Sequence, residues 1–433
     1  GLAAAACLGR IGVRVTLTTR GRIRHDSSTT EQGYARAGSR LADPGVGIWS
    51  HGLECLDRLG VLRQLESEGR YMGEAGYRDT SGNWLARPSQ PLQHFGASDY
   101  SSYTKGTSDE GTGERTTGSG ASVLFVRESK LIEALRSTLG EDTNTIHCEA
   151  DDLEWNKSAF SRDVVAAGAS RVQTRTPSDR PAGNDSCGGE ASPARTGDFD
   201  LLVGADGLDS PIRRQALGET AGEAEPVRRG YVVYRGVCAA EGGAAGAGWD
   251  LESFQTWGAG KRFASVPLAG AERMWFATIA DGVFPDMQRA SAPQPSAIKP
   301  FLMETFGAWH EPISTLLQAT KGEHIVWEDA RAMSSKGLRV AGSWRPAKGG
   351  RGGESSSMGG VALVGDAAHT LDPVLAQGAG VALEDAFFLA RCVRDFNEAT
   401  RRSNGARVPT GSPTRAGRLE AALAGYDAER LDR

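Results

Sequence analysis

Two segments of the chain carry a carboxylate at the end of an apolar run and follow it with glycine and a helix start. The clearer one is 361–386, VALVGDAAHTLDPVLAQGAGVALEDA. VALVG reads as a strand buried on both faces, and Gly365-Asp366 places an acid at its carboxyl edge, where open α/β folds bind ligands. Asp366 can accept hydrogen bonds from a ribose or ribityl hydroxyl. Downstream, Pro373 and the turn Gln377-Gly378-Ala379-Gly380 let the backbone approach a ligand before a helix runs through VALEDAFFLARCV. The partial positive charge and free N–H groups at that helix start suit the anionic N1–C2=O edge of a reduced flavin.

The second segment is DLLVGADGLDSPIRR, 200–214. A strand again ends on an acid, Asp206, followed by Gly207 and a helix opened by Ser210, a good N-cap residue. Arg213 and Arg214 are placed to meet phosphate or to hold Asp206. Arg127, in VLFVRESKLIEAL, stands where an extended segment meets a helix and is suited to clamping a dinucleotide pyrophosphate. Gly1-Leu2-Ala3-Ala4-Ala5 matches the end of a Gly-x-Gly-x-x-Gly turn, whose last glycine allows close helix–strand packing. The acid expected at the end of the following strand is replaced by Thr19.

These residues need a scaffold of alternating strands and helices. The spacing predicts a helix over 2–10, a strand over 13–19, helix over 51–68 and 128–139, and a buried strand over 199–205. It further predicts helices over about 297–319, a strand over about 323–331 and another at 361–365. Between 228 and 282, YVVYRGVCA, ESFQTW, KRFASVPL and RMWFATIA are β-rich with little helix between them, which favours an antiparallel sheet. The expected fold class is α/β, a Rossmann-like FAD-binding domain interrupted by a mostly antiparallel substrate domain. The expected division is 1–80 (FAD-binding), 81–121 (substrate-domain strand and polar insertion), 122–215 (FAD-binding), 216–340 (sheet-rich substrate domain) and 361–433 (FAD-binding return and C-terminal helices). Four polar stretches, 96–121, 174–198, 345–360 and 396–417, read as surface insertions because they bury too little apolar area to offset their ordering entropy.

The totals remove several alternatives. At 433 residues and 39% hydrophobic content the chain can build one large or two ordinary cores. A formal net charge of −5 argues against nucleic acid or anionic lipid as partner. No run reaches the roughly 18 apolar residues of a membrane-spanning helix, so a soluble, intracellular protein is expected, with cytoplasm and organelle both open. Cys7, Cys55, Cys148, Cys187, Cys238 and Cys392 form no CxxC pair and sit at no zinc-ligand spacing; no metal is expected.

With these motifs the sequence resembles the single-component FAD-dependent monooxygenases of the aromatic-hydroxylase type. Within them it looks closest to flavin-dependent urate hydroxylases and zeaxanthin epoxidases. RRGYVVYRGVCA (228–239), MWFATIADG (274–282), LMETFGAWHEPISTLLQAT (302–320) and YDAERLDR (426–433) share that look. The resemblance implies that Asp366 holds the ribityl chain, that Pro373 to Gly380 line the isoalloxazine, that Gly365 belongs to the same site, and that Arg127 and Asp206 serve the phosphate region. Several positions depart from the pattern. Thr19 stands for the usual ribose-binding Glu and Ala376 for the first glycine of a Gly-Gln-Gly turn. Arg228 and Arg229 occupy places where a urate hydroxylase would carry a Tyr, which disfavours urate, and the family's C-terminal extension is missing after Arg433.

The implied reaction reduces FAD with NADH or NADPH, adds O2 to give a C4a-hydroperoxyflavin, and transfers one oxygen to an aromatic or alkene small molecule. Tyr231, Tyr234, Phe254, Trp257, Phe263, Trp275 and Phe276 are candidate cavity-lining residues, and alternation turns only about half of them inward. Arg235 and Tyr234 are the candidate catalytic side chains. His369 reads as structural, and Ser210 lacks the elbow of a hydrolase nucleophile. Two other readings stay open: a degenerate FAD-fold protein that binds a ligand or partner without turnover, and a flavoprotein halogenase or reductase, the halogenase lacking its Trp-x-Trp-x-Ile-Pro signature. Substrate, choice of nicotinamide and oligomeric state are not specified by these residues.

Overall fold

The computed structural model describes residues 1–20, 43–72, 75–87, 123–141, 143–148, 153–155, 170–174, 197–199, 201–239, 253–283, 295–342, 361–404 and 415–431. The chain divides into two compact units, Gly1–Gly33 with Leu135–Val227 and Arg331–Arg433, and Tyr34–Ala134 with Arg228–Ala330. Residues 43–72 and 75–80, grouped by sequence with the nucleotide-binding motifs, lie in the second unit. The class is mixed α/β, with parallel and antiparallel sheets.

In the first unit the strands Thr16–Arg20 and Asn144–Cys148 pair in parallel, as do Leu202–Gly204 and Val361–Leu363. A small antiparallel sheet joins 153–155, 170–174 and 197–199. The helix Leu2–Arg10 buries Ala3 to Leu8, a run of small side chains that lets it pack closely against the long helix Gly378–Asn404. Gly204 is required by packing: a Cβ there would stand 2.7 Å from Leu363 Cδ2 and 2.9 Å from Ile212 Cγ2. Ile212, Ala216, Leu217, Met333, Val361 and Leu363 fill the space between this strand pair and the helix Pro211–Leu217.

The second unit is built on a seven-stranded sheet in the order 326–332, 227–239, 272–280, 261–267, 253–258, 75–78, 84–86. Strands 227–239, 272–280, 261–267 and 253–258 are antiparallel neighbours, and 253–258 runs parallel to 75–78. The helices Pro295–Phe306 and Ile313–Ala319 cover one face, burying Ile298, Leu302, Phe306, Leu316 and Leu317 against it. A smaller antiparallel sheet joins 45–49, 123–127 and 70–71.

Three expectations change in detail. The helical stretch 51–68 is two helices, Ser50–Arg58 and Leu62–Glu68, separated at Gly60 with φ 74°. The strand expected over 13–19 spans Thr16–Arg20. The stretch 396–417, read as an insertion, is helical at both ends, because Gly378–Asn404 and Arg415–Leu431 run into it. Phe396 is buried there, and Glu398 pairs with Arg394 and Arg402 one turn away on either side, so a polar composition still sustains helix. The stretches 96–121 and 345–360, and 174–198 apart from its ends, lie outside the described residues. No helix among the described residues is long and apolar enough to cross a membrane.

Candidate functional site

The parallel pairing of Leu202–Gly204 with Val361–Leu363 brings the two acid-bearing turns out at the same sheet edge, and Val364 N–H donates to the Gly204 carbonyl at 2.9 Å. Asp206 accepts from the Ser210 hydroxyl at 2.5 Å and from Ile212 N–H at 3.0 Å. Ser210 in turn accepts from Arg213 N–H at 2.9 Å, so acid and hydroxyl together cap the helix Pro211–Leu217.

Arg213 does not reach out to solvent. It is fully buried, and its guanidinium donates to the carbonyls of Leu208 at 2.7 Å, Ala367 at 3.1 Å and Asp366 at 3.3 Å. One side chain therefore holds the backbone of both turns. Glu225 pairs with both arginines, lying 3.5 Å from Arg213 Nη2 and 2.7 Å from Arg214 Nε at the surface.

Gly365 takes φ 60°, a conformation that frees the following Asp366 to open a short helical turn over 366–369. Asp372 accepts from Val374 N–H and caps the turn Pro373–Leu375, which closes on Ala376 in the left-handed region at φ 51°. Gln377 then leads into the helix Gly378–Asn404. A Cβ at Gly378 would lie 3.8 Å from Asp366 Oδ1, so this helix start stands directly beside the acid. On the other side Gly1 heads the helix Leu2–Arg10, with its Cβ position 3.6 Å from Ala205 Cβ. Gly1, Asp206, Gly207, Gly365, Asp366, Pro373 and the Gln377–Gly380 segment all belong to the first unit.

Arg127 lies in the second unit. Its Nε and Nη2 donate to the two carboxylate oxygens of Glu272 at 2.9 and 2.7 Å, and Nη1 donates to the Asp43 carbonyl at 2.6 Å. Glu272 carries no local signal, since it stands 145 residues from Arg127 and meets it only through tertiary folding.

The aromatic set divides by strand register. Tyr234, Phe254, Phe263 and Trp275 are nearly or fully buried on the helix-covered face, where Phe263 stacks on Trp275 at 5.4 Å. These four are core, which corrects their reading as lining residues: the helices Pro295–Phe306 and Ile313–Ala319 fill the space in front of them. Tyr234 is likewise withdrawn as a catalytic candidate, since burial pushes its phenol up to about 12 and it packs against Phe301. Tyr231, Trp257 and Phe276 alternate onto the opposite face together with Arg235. There Arg235 donates to Glu328 at 2.9 Å, the Arg262 guanidinium lies 5.4 Å from the Phe276 ring, and Tyr77 meets Trp257 edge-on at 5.1 Å.

A further cluster was not anticipated from sequence. Asp385, fully buried on the long helix, accepts from Gly365 N–H at 2.6 Å and pairs with His369 Nε2 at 2.6 Å and Arg430 Nε at 2.5 Å. Its only signal in the sequence is an acid pair, Glu384-Asp385, inside an apolar helical run. The buried thiols of Cys7 and Cys238 are pushed up to about 12 and about 11 by desolvation, which removes them as nucleophiles. Among the described residues no group of His, Cys, Asp or Glu is arranged to hold a metal.

The chain is similar to known proteins in sequence and in fold. Over 238 residues the chain is 33% identical to aurachin C monooxygenase/isomerase of Stigmatella aurantiaca, covering 54% of the chain and 48% of that protein. It is 29% identical over 213 residues to the chloroplastic zeaxanthin epoxidase of Arabidopsis thaliana, covering 48% of the chain and 26% of the epoxidase. The structure of Klebsiella pneumoniae HpxO complexed with FAD and uric acid superposes with TM-score 0.59 at 20% identity, covering 100% of this chain and 82% of that one. The chain is similar to FAD-dependent monooxygenases in sequence and in fold. It spans about half or less of the length of these two sequence relatives. No family model matches it.

Proposed function

We propose that the chain binds FAD along the edge formed by Gly1, Asp206, Asp366 and the start of the helix at Gly378, and acts as a monooxygenase that places one atom of O2 on an aromatic or alkene small molecule. NADH or NADPH is the reductant in this reading. The observation that carries it is the neighbouring pair of acid-bearing turns, held in common by Arg213.

The residues fit such a group. Two helix N-termini, at Gly1 and Gly378, stand beside the strand ends, where unpaired N–H groups favour anionic partners. Gly378 leaves the approach to Asp366 open, and Asp366 would accept from a ribityl hydroxyl. The methyl of Ala376 narrows the turn without closing it, since its left-handed backbone matches the one a glycine would take. When bound, FAD would supply the redox chemistry and the activation of O2. The protein would orient the cofactor and favour negative charge on the flavin ring through the Gly378 helix start. Within the second unit, the sheet face of Tyr231, Phe276 and Arg235 is the proposed substrate wall, with the Arg235–Glu328 pair supplying polar recognition.

Purified full-length protein carrying this chain is expected to be yellow, with an absorbance band near about 450 nm, a general property of flavins. It should oxidise NADH or NADPH faster when the right aromatic or alkene is added, with oxygenated product in step with the nicotinamide consumed. A colourless protein that added FAD cannot reconstitute rules the reading out and leaves ligand binding without turnover.

A further inference from the structure

Among the described residues Asp385 is the most thoroughly buried carboxylate that the proposed chemistry does not use, and it holds a main-chain group of the cofactor turn. The Gly365 N–H, at the bend that presents Asp366, donates to Asp385 Oδ2. The same oxygen takes the His369 Nε2 contact, while Oδ1 faces Arg430 Nε. Arg430 is itself held by Glu384 at 3.3 Å and donates to the Val381 carbonyl at 3.3 Å. The Tyr426 hydroxyl donates to the Leu363 carbonyl at 2.9 Å, one turn of the same helix away from Arg430. Two helices and the turn thus meet at a single carboxylate.

We infer that Asp385 is a positioning residue for the cofactor turn: its charge, balanced by His369 and Arg430, holds Gly365 in the bend that aims Asp366 at the ligand, and the His369 proton sets how firmly. This rests on the FAD reading of the same edge. A neutral group at 385 would satisfy the Gly365 N–H but leave Glu384 as the one carboxylate beside the buried Arg430 and none beside His369, so the bend depends on charge as well as on the hydrogen bond. A proton on His369 lets its Nε2 donate to Asp385; without it, that nitrogen donates only in one tautomer.

The titration follows from the surroundings. Burial by itself lowers the His369 pKa, but the charge of Asp385 and the hydrogen bond to it outweigh burial, and Arg430 opposes them; the ring is held above its ordinary 6.5. Burial by itself raises the Asp385 pKa, yet His369, Arg430 and the Gly365 N–H leave it below its ordinary 3.8. Glu384 and Tyr426 are the other titratable groups facing the pair. The pair's contribution is therefore complete below the ordinary imidazole value and declines as pH rises through the raised value of the folded state.

The test uses the full protein that carries this chain, stripped of FAD and titrated with FAD by flavin fluorescence from about pH 6 to about pH 9. Amide hydrogen exchange of the 361–370 peptide is followed in parallel. The wild-type Kd is expected to rise across that range, as His369 loses its proton. His369→Gln should flatten the profile at the weak end while keeping a donor toward Asp385. Asp385→Asn should weaken binding at every pH and speed exchange at 361–370 without changing exchange at 227–239. If Asp385→Asn does not fold, His369→Gln decides alone. Wild-type binding with His369→Gln matching it in affinity and slope overturns this inference and spares the FAD reading. A wild-type protein that binds no FAD at any pH overturns both.

Discussion

Nη1 of Arg213 donates to the carbonyl of Asp366 at 3.3 Å, so the helix following one acidic turn holds the main chain of the other. Its sister contacts to Ala367 and Leu208 complete a buried clamp. Arg213→Met would remove this donor from the Leu208 and Ala367 carbonyls, at a cost of about 1–3 kcal/mol per buried group, while the Asp366 carbonyl keeps its bond from the Thr370 hydroxyl at 2.8 Å. Urea unfolding of the variant is expected to show a loss of at least about 2 kcal/mol. Wild-type stability would mean that water replaces the clamp.

Ser210 both caps the helix Pro211–Leu217 and orients Asp206. Ser210→Ala is expected to cost about 1–2 kcal/mol, the usual worth of an N-cap hydroxyl. It should also weaken FAD binding more than an equally destabilising core substitution does. Thermal melts and FAD titrations on the two variants make the comparison.

Ala376 sits in the left-handed region, where a Cβ costs roughly 1–2 kcal/mol. Ala376→Gly removes that strain and the methyl beside the cofactor turn. Part of the gain is returned through the freer unfolded chain, so stability should change by less than about 1 kcal/mol. FAD affinity should rise. A weaker Kd for the variant would show that the methyl contributes contact rather than obstruction.

Two tryptophans on the same sheet separate core from surface. Trp275 is fully buried and donates to Thr320 at 2.8 Å, so Trp275→Ala should cost about 3–5 kcal/mol. Trp257 is 52% exposed on the opposite face. Trp257→Ala should stay within about 0.5 kcal/mol of wild type. Any rise in KM for the aromatic or alkene substrate, with kcat retained, places that ring on the substrate path.

Arg127 and Glu272 form a two-point ion pair with both side chains about three-quarters buried. A double-mutant cycle of Arg127→Gln and Glu272→Gln is expected to give a coupling of about 1 kcal/mol or somewhat more. If Arg127 also serves phosphate, its substitution should weaken FAD binding beyond what Glu272→Gln does. Equal FAD affinities in the two variants confine Arg127 to the fold.

What was legible in the sequence was whatever depends on neighbours along the chain. Apolar runs leading to Asp206 and Asp366 and the Ser210 cap are local patterns that form where expected, whereas Gly378 to Gly380, read as part of a turn, are already the first turn of the long helix. The helix through 396–404 was missed because composition was read without the single buried Phe396 that anchors it.

Other features depended on register and on distant partners. Which aromatic residues are core follows from how 261–267 aligns with 272–280 and which face the two helices cover, since a shift of one residue exchanges the faces. Arg213 could be read as a phosphate ligand or as a clamp until the strand 361–363 settled beside 202–204 and delivered two more carbonyls to it. Asp385 needed still more: a turn 20 residues earlier and a helix far downstream had to converge before one acid of the Glu384-Asp385 pair gained its partners. The amino-acid order determined the turns, caps and helix starts that can receive a cofactor, because these are satisfied within a few residues. Only the tertiary structure decided which charges hold them in place, because burying a charge demands a counter-charge that no short segment contains.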